Sequence, residues 1–462
     1  MADLIATPPR IFIQTFGCQM NELDSGKMLR LLEGDGYAAT DQADDADVIL
    51  INTCSVREKP EQKVRSLLGR YKGLKEANPD LIIGVTGCYA QQAKGELLRR
   101  FPLVDLVMGP DAIPRLPALV MDIQHSRSRS LATEQLDRQD YPFVNDVVVA
   151  QGGSVTAFVN IQKGCDNLCS FCIVPFTRGR EVSRSADDVL DEVRRLAERG
   201  VREVTLLGQN VNSYGLKKSD APAFHDLVAA VAGVQGIARI RFTTSNPWDL
   251  DEGLIQLYRD QQKLASYFHL PVQAGADSML LRMRRKHTRA EYLLLVERLR
   301  QARPDLALST DIIVGFPGET EEEHEQTLSL LEAVRYDFIY SFKYSPRPDT
   351  QAVSKYEDDV PGAVKKRRLA EIQDMQRLVT DERLQSWVGR DVEVLIEGPS
   401  KRDPQWLSGR IGQNWMVSLP GAARLVGTLV DVRIDEAVSN SLSGHANHRD
   451  TVARAGGRLT VL

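Results

Sequence analysis

Six cysteines fall along this chain in two sets of three, and their placement constrains the fold more than any other feature. Cys18, Cys54 and Cys88 are spread over the N-terminal segment, while Cys165, Cys169 and Cys172 share one short stretch, KGCDNLCSFC (163–172). The spread set is placed by secondary-structure signals. IFIQTFG (11–17), DVILINT (47–53) and LIIGVTG (81–87) read as strands, and one cysteine follows each. A helix is expected after the first, with Asn21 as N-cap and Gly34 or Gly36 as its stop, and another over about 58–77. VDLVMG (104–109) reads as a fourth strand. Strand–helix alternation at this pitch implies an open, mostly parallel α/β sheet, in which ligands bind outside the carboxyl ends of the strands. Three thiols at three such ends converge on one point. Gly17 and Gly87, just before Cys18 and Cys88, let backbone approach a bulky ligand. The plain alternative is three small residues buried at strand ends, since free cysteine is often buried.

The compact set has the spacing CxxxCxxC, which puts three thiolates on one tight loop after a strand. Three ligands on a four-iron cluster leave one iron open to chelate a small molecule, and such clusters are built on soft thiolates. Leu168 and Phe171 within the loop are expected to keep water off it. A zinc loop is the alternative; it wants a fourth ligand, and no cysteine or obvious histidine stands nearby.

The rest of the chain divides by pattern. Residues 111–154 are polar and poor in periodicity, and read as a linker with some local structure. Six strand candidates follow between helical patterns: 156–162, 203–209, 238–245, 267–273, 307–316 and 337–345. Six strand–helix repeats are too few for an eight-fold barrel and fit a partial, open (β/α)6 barrel. The tail carries short strands (EVLIEG, LSGRI, NWMVSL, LVDVRIDEAV) between Gly, Pro and Asn, a small all-β barrel of the OB-like sort. The fold class is thus α/β with an all-β end. The expected domains are 1–125, 151–385 and 386–455, with a linker at 126–150.

With 462 residues, three domains of roughly 150 each are expected. No stretch approaches roughly 18 continuous apolar residues, so no membrane span is expected. The start, MADLIATPPR, lacks the pattern of a secretory signal, and the expected compartment is the cytosol, where cysteines do not serve as disulfides. A net charge of −5 argues weakly against nucleic acid, yet RMRRKHTR (282–289) and VKKRRL (364–369) are local basic runs. Each reads as a solvated helix face or as a phosphate contact.

CxxxCxxC resembles the signature of the radical S-adenosylmethionine superfamily, and the partial barrel is similar to that superfamily's fold. The three-part chain as a whole resembles the methylthiotransferase family, whose last domain, TRAM, contacts RNA. TFGCQMNELDS, INTCSVRE and GVTGCYA are similar to its N-terminal motifs. GCDNLCSFCIVPFTRGREVSR, LLGQNVNSYG, HLPVQAGAD and DIIVGFPGET are similar to its barrel motifs. FTRGREVSR, GQNVNSYG and RKHTRAEY look most like the branch that modifies tRNA rather than the one acting on a ribosomal protein. The resemblance implies 2-methylthiolation of N6-isopentenyl(dimethylallyl)adenosine next to the anticodon. One S-adenosylmethionine would supply a methyl group and a second a 5′-deoxyadenosyl radical. Two 4Fe–4S clusters are implied: an auxiliary one on Cys18, Cys54 and Cys88, and a radical-forming one on Cys165, Cys169 and Cys172. The implied partners are the anticodon stem-loop of tRNA and an electron donor such as flavodoxin or ferredoxin, with no membrane and a monomeric chain. The competing readings are another methylthiotransferase substrate, threonylcarbamoyladenosine in tRNA or a ribosomal protein, and a non-catalytic, zinc-stabilised RNA-binding protein.

The resemblance also implies cofactor contacts. Gln209 and Asn210 end the second barrel strand, where the methionyl amino group is held; helix capping is the alternative. Arg178 and Arg184 follow the cluster loop and reach a carboxylate or phosphate, or form surface salt bridges. His269 and Gln273 face the barrel mouth at a strand end, or His269 is structural. Gly315, Phe316 and Gly318 form a turn that offers backbone to the adenine, or a plain turn. Asn246 stands where His is expected and Ala274 where Ser is expected. For RNA, the β-module offers Trp406, Trp415, Lys401, Arg402 and Arg410, with Trp as often core.

Overall fold

VILINT forms a strand buried on both faces, as a run of β-branched and apolar residues must when helices cover both sides of a parallel sheet. The computed structural model describes residues 8–55, 60–136, 141–144, 154–217, 221–401, 403 and 405–447. The N-terminal sheet contains β1 (Arg10–Phe16), β2 (Ala38–Ala39), β3 (Val48–Thr53), β4 (Ile82–Thr86), β5 (Leu106–Met108) and β6 (Ser130–Ala132). All pairings are parallel, in the order β2-β1-β3-β4-β5-β6. Two of these strands were not expected. β6 and the helix Leu116–Ser126 lie in the stretch read as linker; Leu116, Leu119, Val120 and Ile123 bury the apolar face that packs them onto the sheet. β6 thus takes part of the stretch 126–150, expected as linker, into the sheet, and residues 137–140 and 145–150 of that stretch lie outside the described ones.

The first helix, Gln19–Gly34, starts earlier than expected. Cys18, extended at φ −96° and ψ 172°, is its N-cap. Asn21 is not the cap because its side chain reaches across to Asn52 instead, Nδ2 to Oδ1 at 3.0 Å.

The middle of the chain holds β7 (Thr156–Asn160), β8 (Gln162–Lys163), β9 (Val182–Ser183), β10 (Glu203–Leu207), β11 (Arg239–Phe242), β12 (Tyr267–His269), β13 (Ala307–Val314) and β14 (Phe338–Lys343). Two parallel three-stranded sheets, β11-β10-β7 and β12-β13-β14, meet where Ile240 pairs with Leu264, giving the expected open six-strand arc. β8 and β9 form an unexpected antiparallel pair that closes the loop between them. Helices begin at local caps. Ser185 accepts from Asp188 N, and Thr288 and Thr320 form capping boxes with Glu291 and Glu323.

The C-terminal barrel contains β15 (Asp391–Pro399), β16 (Trp406–Arg410), β17 (Met416–Pro420), β18 (Leu429–Val438) and β19 (Ser441–Ala446), closed in the order β15-β16-β17-β19-β18. It docks at the amino ends of the middle strands. Arg241 donates to the carbonyls of Ile411 (2.8 Å) and Gly412 (3.0 Å), and the Phe338 and Trp415 rings lie 4.1 Å apart. Trp415 is therefore core, not an RNA contact. Trp406 is half-buried, Lys401 is exposed, and Arg410 pairs with Glu397 at 3.3 Å; Arg402 lies outside the described residues. No helix among the described residues is long and apolar enough to cross a membrane.

The basic run 364–369 is part exposed helix face, at Lys366 and Arg367, and part buried, at Lys365 and Arg368. It lies on the helix Gly362–Gln385, where Arg368 is buried on Glu319 (2.8 Å), Lys365 pairs with Asp358, and Arg367 pairs with Glu321 (2.7 Å).

Candidate active site

Because β1, β3 and β4 are neighbours in one sheet, Cys18, Cys54 and Cys88 lie side by side at their carboxyl ends. Two glycines make the close approach possible. A Cβ on Gly17 (φ +138°) would stand 2.5 Å from the Cys54 Cβ, and one on Gly87 (φ +87°) 2.3 Å from Asn52 Oδ1. Beneath the thiols, Asn52 donates to Asn21 O and Ser25 Oγ, each at 2.8 Å, and Cys18 Sγ meets Asn21 Oδ1 at 3.4 Å. A hydrogen bond from Cys54 and, against burial, the nearby Arg178 cation bring the Cys18 thiol down to about 6. Burial pushes the Cys88 thiol up, with Arg178 opposing. The buried hydroxyls of Thr53, Ser55 and Thr86, next in sequence to this pocket, have no hydrogen-bond partner. A thiol set with spare buried donors and glycine-walled space fits a sulfur-rich group.

The second set sits on the loop after β8. Gly164, at φ +74°, turns the chain; a Cβ there would lie 2.1 Å from the Arg180 carbonyl. Asn167 N points at Cys165 Sγ (3.4 Å), and Cys172 N bonds Cys169 O (3.1 Å). Burial raises the Cys165 and Cys172 thiols to about 12, and Cys169 beside them adds to the rise. Such thiols stay protonated until a metal displaces the proton. Arg285 donates to Cys169 Sγ at 3.7 Å. Three sulfurs on one loop, met by N–H donors, fit a three-ligand cluster. Phe171 packs against the apolar cluster that contains Ala274, Met279 and Phe316, whereas Leu168 is 44% exposed and does not shield the loop as expected.

The remaining residues singled out by sequence separate. Gln209 Oε1 accepts from Gly164 N at 2.5 Å and braces the cysteine loop. Asn210 Nδ2 donates to Asp249 (2.7 Å), leaving its Oδ1 unpartnered. Asn246 exchanges hydrogen bonds with Asn212, and its Oδ1 is also unpartnered. His269 Nδ1 contacts Ser309 Oγ (2.8 Å), with Asp311 3.6 Å from Nε2. Gln273, at φ +77°, bridges its backbone to β13. Gly315 lies against the Lys365 stem, and Gly318 N donates to Asp359 (2.7 Å). Phe316 is fully buried against Tyr344, so its ring is core; Ala274 shares that core, where a hydroxyl would find no water.

The two arginines expected together stand apart. Arg184 is enclosed, paired with Glu192 and bonded to the carbonyls of Asn160 and Asp188. Arg178 leaves the barrel altogether and pairs with Asp24 of the first helix at 2.7 Å, both buried, beside Cys18 and Cys88. A second buried pair, Lys163–Asp111 at 2.6 Å, crosses the same interface. Sequence reading missed Asp24, Asp111 and Lys163. Their one signal was position, since Lys163 and Asp24 are charges set within the two cysteine motifs.

Comparison with known proteins decides the family. Residues 10–109 match Uncharacterized protein family UPF0004, residues 159–331 the Radical SAM superfamily, and residues 385–446 the TRAM domain. The tRNA-2-methylthio-N(6)-dimethylallyladenosine synthase of Myxococcus xanthus (strain DK1622) is 49% identical over 437 residues, 94% of this chain and 93% of that protein. Its namesake in Anaeromyxobacter dehalogenans (strain 2CP-C) is 50% identical over 448 residues, 95% of each. The chain belongs to the tRNA-2-methylthio-N(6)-dimethylallyladenosine synthase family. Synthases of this family are radical S-adenosylmethionine enzymes, and the superfamily match across the CxxxCxxC loop carries S-adenosylmethionine and a 4Fe–4S cluster with it. The fold is shared with the radical S-adenosylmethionine methyltransferase TsrM of Kitasatospora setae, at TM-score 0.58 and 14% identity over 75% of this chain and 77% of that one.

Proposed function

We propose that this chain methylthiolates carbon 2 of N6-dimethylallyladenosine next to the anticodon of tRNA, using a second, auxiliary 4Fe–4S cluster on Cys18, Cys54 and Cys88. The observation that carries the reading is Arg178. It leaves the loop that follows Cys172, pairs with Asp24, and stands beside Cys18 and Cys88, so the two cysteine sets share one interface. When bound, the clusters and S-adenosylmethionine supply hydrogen-atom abstraction, a sulfur and a methyl group.

The chain's own residues do the rest. Cys165, Cys169 and Cys172 hold the radical-forming cluster, and Gln209 fixes their loop through Gly164 N. Asn210, with its spare carbonyl oxygen, together with His269, Gln273 and the Gly315 turn, receives S-adenosylmethionine at the carboxyl ends of the barrel strands. Arg178 offsets the negative charge of three thiolates in a buried site. The anticodon stem-loop docks with help from the C-terminal barrel, and a flavodoxin or ferredoxin delivers electrons to a monomer in the cytoplasm.

Nucleoside mass spectrometry on tRNA from a deletion strain tests the assignment. The 2-methylthio derivative should vanish, return with the intact gene, and stay absent with Cys54→Ala. Its persistence in the deletion strain would show that the substrate is another. Anaerobic protein should carry about eight irons, two four-iron clusters per chain; protein holding only zinc would refute catalysis.

A further inference from the structure

The basic run 282–289 is dispersed by the fold. Arg282 donates to the carbonyl of Gly318 (2.7 Å), Arg284 to Gln351 (2.6 Å) and Arg289 to the carbonyl of Gln326 (2.5 Å). Arg285 differs from all three. It is 8% exposed; Nη2 donates to Pro271 O at 2.6 Å, Nη1 to Cys169 Sγ at 3.7 Å, and Nε has no partner. Among the described residues no carboxylate forms an ion pair with it. The Trp248 ring covers the guanidinium at 5.0 Å. The next aromatic along, His287, is buried with both ring nitrogens unpartnered and held down to about 3 by burial and by Arg285, so it stays neutral.

A buried cation with no carboxylate is costly unless another anion offsets it. The anion within reach is sulfur. Arg285 Nη1 contacts the Cys169 sulfur directly. We propose that Arg285 is the positioning residue that sets the reduction potential of the radical-forming cluster, by holding the Cys169 sulfur and favouring the reduced form. This rests on the cluster reading of the CxxxCxxC loop. Reduction takes one electron from a low-potential one-electron carrier of the flavodoxin or ferredoxin class; no bond breaks and no proton moves. The added negative charge spreads onto the sulfurs, where a fixed cation and hydrogen-bond donor stabilises it. Trp248 keeps water from screening that interaction.

The test uses the full chain with Cys18, Cys54 and Cys88 replaced by alanine, so that only one cluster is present. After anaerobic reconstitution, the electron paramagnetic resonance signal of the reduced cluster is titrated against potential, without S-adenosylmethionine. Arg285→Met should lower the reduction equilibrium at least tenfold, about 59 mV for one electron. Arg285→Lys, which keeps the charge and loses the fork, should shift it less. Iron loading by the Lys variant but not the Met variant also supports the charge pairing. A loaded Met variant with an unmoved midpoint overturns the inference. So does iron loss in both variants with native circular dichroism, which assigns Arg285 to loop folding alone. If the parent itself takes up no four-iron cluster, the cluster reading fails instead.

Discussion

Arg178 is the residue through which two domains act on one set of thiols. Its charge lowers Cys18 and, against burial, moderates Cys88. In iron-free protein, Cys18 at about 6 is mostly thiolate at pH 7, and the thiolate is the form that reacts. Arg178→Met removes a cause of the lowering, so the pH of half-maximal alkylation of Cys18 should rise and its labelling at pH 7 should fall several-fold. Peptide mass spectrometry of iodoacetamide-treated protein reads this. An unchanged profile would mean that Cys54 and the backbone of Met20 and Asn21 hold Cys18 down without Arg178. The same change leaves Asp24 buried without its partner, and breaking a buried pair costs about 3–5 kcal/mol. The sequence showed Arg178 as an anion ligand but could not show which anion, because its partner lies far away in the chain.

At the scale of elements, the caps carry much of the local specification. Thr320 caps the helix Glu321–Val334, which follows β13 and the Gly315 turn in the chain, and its hydroxyl accepts from Glu323 N at 3.2 Å. Thr320→Ala should cost about 0.5–2 kcal/mol, seen as a lower midpoint in chemical denaturation, with Thr320→Ser restoring most of it. The strands found from sequence were those with long apolar runs. The missed ones have short or polar sequences: β2 is two alanines, β6 is Ser130–Ala132, β8 is Gln162–Lys163, β9 is Val182–Ser183, and β19 is Ser441–Ala446. Such segments become strands only because a neighbouring edge offers hydrogen bonds, which no local pattern announces.

For the whole molecule, the C-terminal barrel is fixed to the amino ends of the middle strands, opposite the cysteine loop. Arg241 ties it there through two carbonyls while pairing with Glu203 at 2.9 Å. Arg241→Ala leaves buried acceptors unmet at about 1–3 kcal/mol each. Hydrogen exchange should quicken in residues 406–420 while iron content stays at the parent level; iron loss would place the barrel's influence deeper than this interface. The sequence by itself determined the three-part order, the strand-end thiols, the tight cysteine loop and the glycines beside them. Those features are local: periodicity, a spacing and a positive φ are set by residues close in the chain. Tertiary structure alone decided that Arg178 serves the N-terminal thiols, that Arg285 faces Cys169, that Phe316 and Trp415 are core, and that Lys365, Arg367 and Arg368 are taken up in ion pairs. Each depends on which distant surface a side chain meets, and burial and charge pairing exist only once the chain has closed on itself.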